Sequence, residues 1–393
     1  MPSKTAGRGK PGPAPSGRPT LRTLADHLKL SPASVSLVLN RAPAAHAIPK
    51  ATQDRIRAAA ARFGYRPNSL AKSLRRQRTL TIGVMVPEIS EGYTVLVVSG
   101  IEDALLHAGY LYFVASHRHR DDLVDEYPKL MLDRAVDGLI AVDTPIKGPL
   151  PVPVVAVSGL SETAGVTSIV IDHSRAAELA IAHLHELGHR RIGFIKGQPF
   201  SSDTGIRWKA IREAMRDHGL TVDPSLVGQL DGASSLPELG YQATKTLLAV
   251  KPRLTALFTF NDISALGAMS AIRDAGLRMP EDVSVVGFDD IASAAYQYPP
   301  LTTVRQPLYD MGLRAADTLV ARLEAPGSKA PRTISLEPTL IVRGTTGPVR
   351  IDVAPTEAGR PGPFRPASLR PGSLMPGSIR LGSGRSSRTR STS

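Results

Sequence analysis

Two hydrophobic rhythms alternate along most of this chain. From Thr79 to about residue 345, short apolar runs recur: TLTIGVMVP, LYFVAS, DGLIAVD, PVVAVS, SIVID, RIGFIK, TALFTF and VSVVGF. Each has the length of a buried strand. Between them lie amphipathic stretches at 95–108, 122–133, 175–187, 204–218, 239–250 and 262–275. Strands alternating with helices predict an α/β fold with parallel sheets. The segment is long enough for two doubly wound lobes. Ligands in such folds bind beyond the carboxyl ends of strands, here in the cleft between lobes.

Before Thr79 the spacing is helical throughout. Leu21, Leu24, Ala25 and Leu28 share one face, and Val35, Val38 and Leu39 another. Ser31 suits an N-cap and Pro32 the first helical position. A third helix is predicted from about Lys50 to Phe63, with Gly64 placed to end it and Pro67 barring continuation. TLRTLADHLKLSPASVSLVLN (20–40) thus reads as helix, turn at Lys29–Leu30, and second helix. A second helix presented in this way can lie in the DNA major groove with its first turn facing base edges. An ordinary helical pair would show the same spacing.

Composition fits this division. At 393 residues and 42% hydrophobic, the chain supports two or three folding units. It has no cysteine, which excludes disulfides and cysteine-ligated metals and fits a reducing compartment. No window resembles a membrane span, and the basic, Pro/Gly-rich residues 1–19 lack the apolar stretch of a secretory signal. A cytoplasmic location is expected. The net charge of +13 sits at the ends: residues 20–78 carry twelve basic and two acidic groups, whereas 79–347 carry 24 basic and 31 acidic. A polyanion bound by a small module is implied. Residues 1–19 and 346–393 read as disordered tails, the second rich in Arg, Gly, Pro and Ser. That tail is either solvated or in weak non-specific contact with nucleic acid.

The order and spacing of several motifs resemble the LacI (lac repressor) family. They are residues 20–40, RIRAAAARFGYRPNSLAKSLR (55–75), TLTIGVMVPEIS (79–90), GIEDALLHAGY (100–110), VDGLIAV (136–142), HLHELGHRRIGFI (183–195), ALFTFNDISALGAM (256–269), GLRMPEDVSVVGFDD (276–290) and PPLTTVRQP (299–307). The resemblance implies a helix-turn-helix domain at 20–66, a hinge helix and linker at 67–78, and a two-lobed, periplasmic-binding-protein-like effector and dimerisation domain at 79–345. Chain crossings between the lobes are then expected near 189–191, 303–306 and 331–333. The expected function is transcriptional regulation, as a repressor controlled by a small effector. The partners would be a pseudo-palindromic double-stranded operator, a sugar or related metabolite, and a second copy of the chain, with a tetramer as the alternative. No enzyme activity, cofactor, metal or membrane is expected.

By position, Pro32, Ala33 and Leu37 take the base-reading slots, although none can form bidentate hydrogen bonds. Apolar contact with thymine methyls or indirect readout would then carry more of the specificity. Thr20, Ser31, Ser34, Ser36 and Asn40 are further candidate DNA contacts, with capping or solvated roles the alternative for the serines. In the hinge, Asn68 can cap a short helix, Leu70, Ala71 and Leu74 would line one side, and Lys72 and Arg75 would meet phosphates. Leu74 takes the place of the leucine that wedges into the minor groove. This sequence departs from the family pattern at Thr23, Lys29, Leu30 and Leu37, usually acidic, Gly, Val and Arg. The segment RAPAAHAIPKAT is longer than usual.

The resemblance assigns the cleft to Tyr93, His117, Asp172, Arg207, Asn261 and Asp289. An arginine facing acceptors suits a polyol, sugar or nucleobase. Asp262 is either a second acceptor or the cap of the following helix. A transport binding protein would leave residues 20–78 unexplained, and no nucleophile–base pair, phosphate loop or metal set supports an enzyme.

Overall fold

The computed structural model describes residues 19–65, 78–89, 92–232, 236–327, 329 and 331–350. The expected hinge residues Asn68, Leu70, Ala71, Lys72, Leu74 and Arg75 lie outside this set, as do residues 1–18 and 351–393 of the expected tails.

Three helices build the head: α1 (Leu21–Leu28), α2 (Pro32–Leu39) and α3 (Lys50–Arg62). Thr20 caps α1 by accepting the Thr23 N–H at 3.1 Å, and Ser31 caps α2 by accepting the Ser34 N–H at 3.1 Å. Lys29 makes the turn between them in the left-handed region, at φ 54°. Leu24, Ala25, Val35, Val38 and Ile56 are buried at the crossing of the three helices. The long segment before α3 forms a 3-10 turn, Pro43–Ala47, pinned by the Gln53 amide on the carbonyls of Ala45 and Ile48.

Two six-stranded sheets follow. The first orders its strands β11-β5-β4-β3-β1-β2: β1 (Thr81–Val86), β2 (Leu111–Ser116), β3 (Gly138–Val142), β4 (Val154–Val157), β5 (Val166–Ile171) and, from far along the chain, β11 (Thr333–Leu336), all parallel. The second orders them β12-β10-β9-β8-β6-β7: β6 (Ile192–Lys196), β7 (Val227–Gln229), β8 (Ala256–Thr259), β9 (Ser284–Asp289), β10 (Thr302–Arg305) and β12 (Thr339–Ile341), the last antiparallel to β10. Helices α4 (Tyr93–His107), α5 (Asp121–Asp133) and α10 (Leu308–Glu324) pack on the first sheet. Helices α6 (His173–Glu186), α7 (Ser202–Asp217), α8 (Pro237–Leu248) and α9 (Asp262–Asp274) belong to the second lobe. The inner strands are buried along their whole length, as parallel sheets covered on both faces require.

In each lobe one helix pair crosses backbone to backbone. A Cβ on Gly100 of α4 would lie 2.0 Å from the Tyr309 carbonyl oxygen, and one on Gly312 of α10 would lie 2.0 Å from that of Val97. The second lobe repeats the device: a Cβ on Gly240 of α8 would meet the Ser264 oxygen at 2.1 Å, and one on Gly267 of α9 the Pro237 oxygen at 1.8 Å.

The chain crosses between lobes at Asp172, at Gln306–Pro307 and at Glu337–Pro338. Two of these correct the expected positions. The first comes before α6 rather than at 189–191, because α6 packs on α7, β10 and β12, with His183 Nε2 2.9 Å from Thr346 Oγ1. The third comes after β11 rather than at 331–333, because β11 pairs with β5 in the register Thr333↔Ser168 and so extends the first sheet.

Candidate functional site: an interlobe cleft and a helical head

A cleft opens between the lobes at the carboxyl ends of the strands. Arg207 stands at its floor, 4% exposed. The guanidinium is layered against two rings, 3.7 Å from the Phe288 centroid and 4.4 Å from that of Phe260. Nη1 donates to the Phe260 carbonyl at 2.6 Å and Nη2 to Asp203 at 3.4 Å, one turn earlier on α7. Burial lowers the Arg207 pKa against the opposing pull of Asp203, Asp289 and Asp143. Nε is buried without a hydrogen-bond partner.

Acidic groups surround this arginine. Asp289 ends β9 and accepts the Gln306 amide at 2.6 Å. Burial pushes its carboxyl up to about 7, more than Arg207 and Gln306 pull it back. Asp143 follows β3 and is raised by burial and by Asp203, despite accepting from Ser201 and Ser202. Burial works against Asp203 too, but His173 at 3.5 Å and Arg207 hold its pKa below the ordinary value. The Tyr93 hydroxyl bonds to Ser158 at the first-lobe wall, and its pKa is raised by burial and the nearby aspartates. At the mouth, His119 from the first lobe stacks on Phe200 from the second, with centroids 4.0 Å apart.

Of the six residues expected in the cleft, Tyr93, Arg207, Asn261 and Asp289 line it. Asn261 also serves as the N-cap of α9, accepting the Ser264 N–H at 2.8 Å in a capping box. His117 lies behind the wall. It is 3% exposed, bonded through Nε2 to Thr144 at 2.9 Å, and pushed down to about 4 by burial and by His119. Its neighbour His119 faces the cleft instead. Asp172 also lies outside the lining, where it caps α6 by accepting the Arg175 N–H at 2.9 Å. Asp262 is not the cap. It is fully buried at the first position of α9, accepting the Thr303 hydroxyl at 2.6 Å and the Ile291 N–H at 2.9 Å.

Sequence reasoning missed Asp143, Asp203 and Gln306. The signals were present: Asp203 precedes Arg207 by one helical turn, and Asp143 ends an apolar run, LIAVD.

In the head, Ser31, Pro32 and Ala33 are exposed at the start of α2. Leu37 is partly buried and packs on the head core. The Asn40 amide donates to the Ser36 hydroxyl at 3.1 Å and carbonyl at 2.9 Å, so these two candidates are bonded to each other. Ser34 Oγ is 2.9 Å from that of Ser31, and Thr20 Oγ1 is 2.7 Å from that of Thr23. Among the described residues no helix is long and apolar enough to cross a membrane.

Comparison with known proteins agrees with this architecture. The periplasmic binding protein-like domain family matches residues 181–346. The HTH-type transcriptional repressor PurR of Haemophilus influenzae is 31% identical over 335 residues, covering 82% of this chain and 97% of that protein. The HTH-type transcriptional repressor CytR of Escherichia coli is 30% identical over 336 residues, covering 83% and 96%. Among solved structures, a transcriptional regulator CelR–cellobiose complex aligns with a TM-score of 0.62 at 30% identity, over 84% of this chain and 100% of that one. A lac repressor dimer bound to operator and the anti-inducer ONPF aligns with a TM-score of 0.74 at 26% identity, with the same coverage. These relatives are regulators and not enzymes. A helical DNA-binding head joined to a two-lobed sensor defines an effector-controlled transcriptional regulator. The chain belongs to the LacI family.

Proposed function

We propose that this protein is a cytoplasmic repressor that binds a pseudo-palindromic operator as a homodimer and changes its grip when a sugar or related metabolite enters the cleft. The working parts are the head at 20–66, a hinge at 67–78 and the sensor at 79–345. The observation that carries this reading is a buried arginine, Arg207, ringed by Asp143 and Asp289 at strand ends of the two lobes and by Asp203 one helical turn away, in a chain that also holds an exposed recognition-helix start. The cellobiose bound to CelR and the anti-inducer and operator bound to the lac repressor support the same ligand classes here.

Ligand and DNA are coupled only if the ligand binds the two lobe arrangements with different affinity. Closure brings Asp143 and Ser202, or Gly159 and Asp203, together across the gap. The first lobes then carry that change to the hinge and to Leu74. Full-length protein should select a two-fold symmetric site from random duplex DNA, and an occupied cleft should change the affinity for that site at least tenfold. Enrichment of no symmetric site would overturn the reading.

A further inference from the structure

Asp143 and Asp289 face the cleft from opposite lobes, and neither has an ion pair among the described residues. Asp143 is held by two serine hydroxyls and one backbone N–H, and Asp289 by one side-chain amide. Buried carboxylates without an ion pair of their own are costly to a fold. The nearby cation, Arg207, already shares its charge with Asp203. Its two terminal nitrogens are engaged by Phe260 and Asp203, and rings cover it on Phe260 and Phe288. Of its five N–H groups two are used in these bonds, and the Nε–H is buried without a partner.

A second observation points the same way. Gln306 lines the cleft, is 3% exposed, and donates its amide to Asp289, leaving Oε1 buried without a partner. Carboxylates therefore outnumber guanidinium groups in the cleft, with Asp143, Asp203 and Asp289 set against Arg207. A metal ion does not answer this excess, since no group of three or more His, Asp or Glu side chains among the described residues is arranged to hold one. Phe200, Tyr93 and His119 provide an organic lining for a carbon skeleton, and aromatic faces favour a nearby organic cation.

We propose that the ligand of this cleft carries a protonated amine on a hydroxylated skeleton, an amino sugar or amino polyol, in preference to a neutral sugar or a sugar acid. The ammonium group sits between Asp143 and Asp289, and the hydroxyls meet Arg207 Nε and Gln306 Oε1. This rests on the reading of the cleft as the effector site.

The test is calorimetric titration of full-length protein with matched sets on two skeletons: D-glucosamine, D-glucose, N-acetyl-D-glucosamine and D-glucuronate, and the corresponding galactose series. In at least one set the free amine should bind at least ten times more tightly than the neutral sugar and the N-acetyl form, with the acid weakest. The isosteric changes Asp143→Asn and Asp289→Asn should each remove most of that preference, with folding checked by far-ultraviolet circular dichroism. If one of them does not fold, the other carries the comparison. A neutral, acetylated or acidic member that matches the amine overturns the proposal, as does a panel in which no amine binds. Operator affinity measured alongside separates the two readings. A neutral sugar that binds as tightly as the amine and shifts operator affinity leaves the repressor standing and removes this inference. An amine that binds without shifting operator affinity does the reverse.

Discussion

The carboxylate of Asp203, on the second lobe, accepts the backbone N–H of Gly159, on the first, at 3.2 Å. Asp143 answers from the opposite side, accepting the Ser202 hydroxyl at 2.6 Å and the Ser202 N–H at 3.2 Å. Two carboxylates on different lobes thus each reach across the same gap. The lobes are latched by charge-assisted hydrogen bonds that line the ligand's own cleft.

Ser202→Ala removes the shortest of these contacts and leaves the backbone N–H in place. A hydrogen bond to a charged group contributes about 1.5 kcal/mol or more, so effector affinity should fall roughly tenfold. Calorimetry reads this directly, and unchanged affinity would mean that the latch does not contribute to the bound state.

Arg207→Ala leaves Asp203 with the His173 ring and the Gly159 N–H and empties the space beside two phenylalanine rings. Removing one partner of a buried pair costs about 3–5 kcal/mol. Urea denaturation should show a loss of that order, and ligand-induced thermal stabilisation should disappear. Arg207→Lys should not restore either, because an ammonium cannot lie flat between rings while donating in two directions.

Asp289 makes stability depend on pH. Its folded pKa is pushed up to about 7, so the fold favours the protonated form. That contribution is complete below the ordinary carboxylate value of about 4. It is lost as pH rises through about 7, because over this window the native state holds the extra proton. Asp262, which packs against Asp289 and is raised by burial, slopes in the same direction, while Arg207 opposes it. Asp289→Asn should flatten the decline between pH 4 and 7 in chemical denaturation series.

Lys29 turns the chain between α1 and α2 at a positive φ, where a side chain carries strain of about 1 kcal/mol that glycine avoids. Lys29→Gly should therefore raise the melting temperature of the head, with operator specificity unchanged because the start of α2 is untouched. A lowered melting temperature would show that the lysine side chain contributes more than its backbone strain costs.

The head and the alternating α/β order were legible because both rest on local periodicity. Leu24, Ala25, Val35 and Val38 fall on one core by spacing alone. The short β7 and β12, and β11 with its pairing to β5, were not legible, since a strand of three or four residues carries too little pattern to separate from a loop. The same limit misplaced the third crossing, while the first depended on which lobe α6 packs against. In the cleft, Arg207 and Asp289 could be placed by matching positions. The His117–His119 distinction could not, because which histidine faces the cleft depends on a turn in which His117 Nδ1 accepts the His119 N–H. Likewise Asn261 and Asp262 are adjacent and both polar, and only the capping geometry of α9 decides which one is buried.

The glycine crossings within each lobe bear on where adjustment of the response can occur. Where Gly100 meets the Tyr309 carbonyl and Gly267 meets that of Pro237, no side chain stands between the helices to slide or repack. Each lobe then behaves as a single stiff block, and compliance is concentrated in the short tethers at Asp172, Pro307 and Glu337–Pro338. Sensitivity of the repressor to its effector is accordingly adjustable at positions that touch neither ligand nor DNA, by stiffening or loosening a joint while both binding surfaces stay as they are.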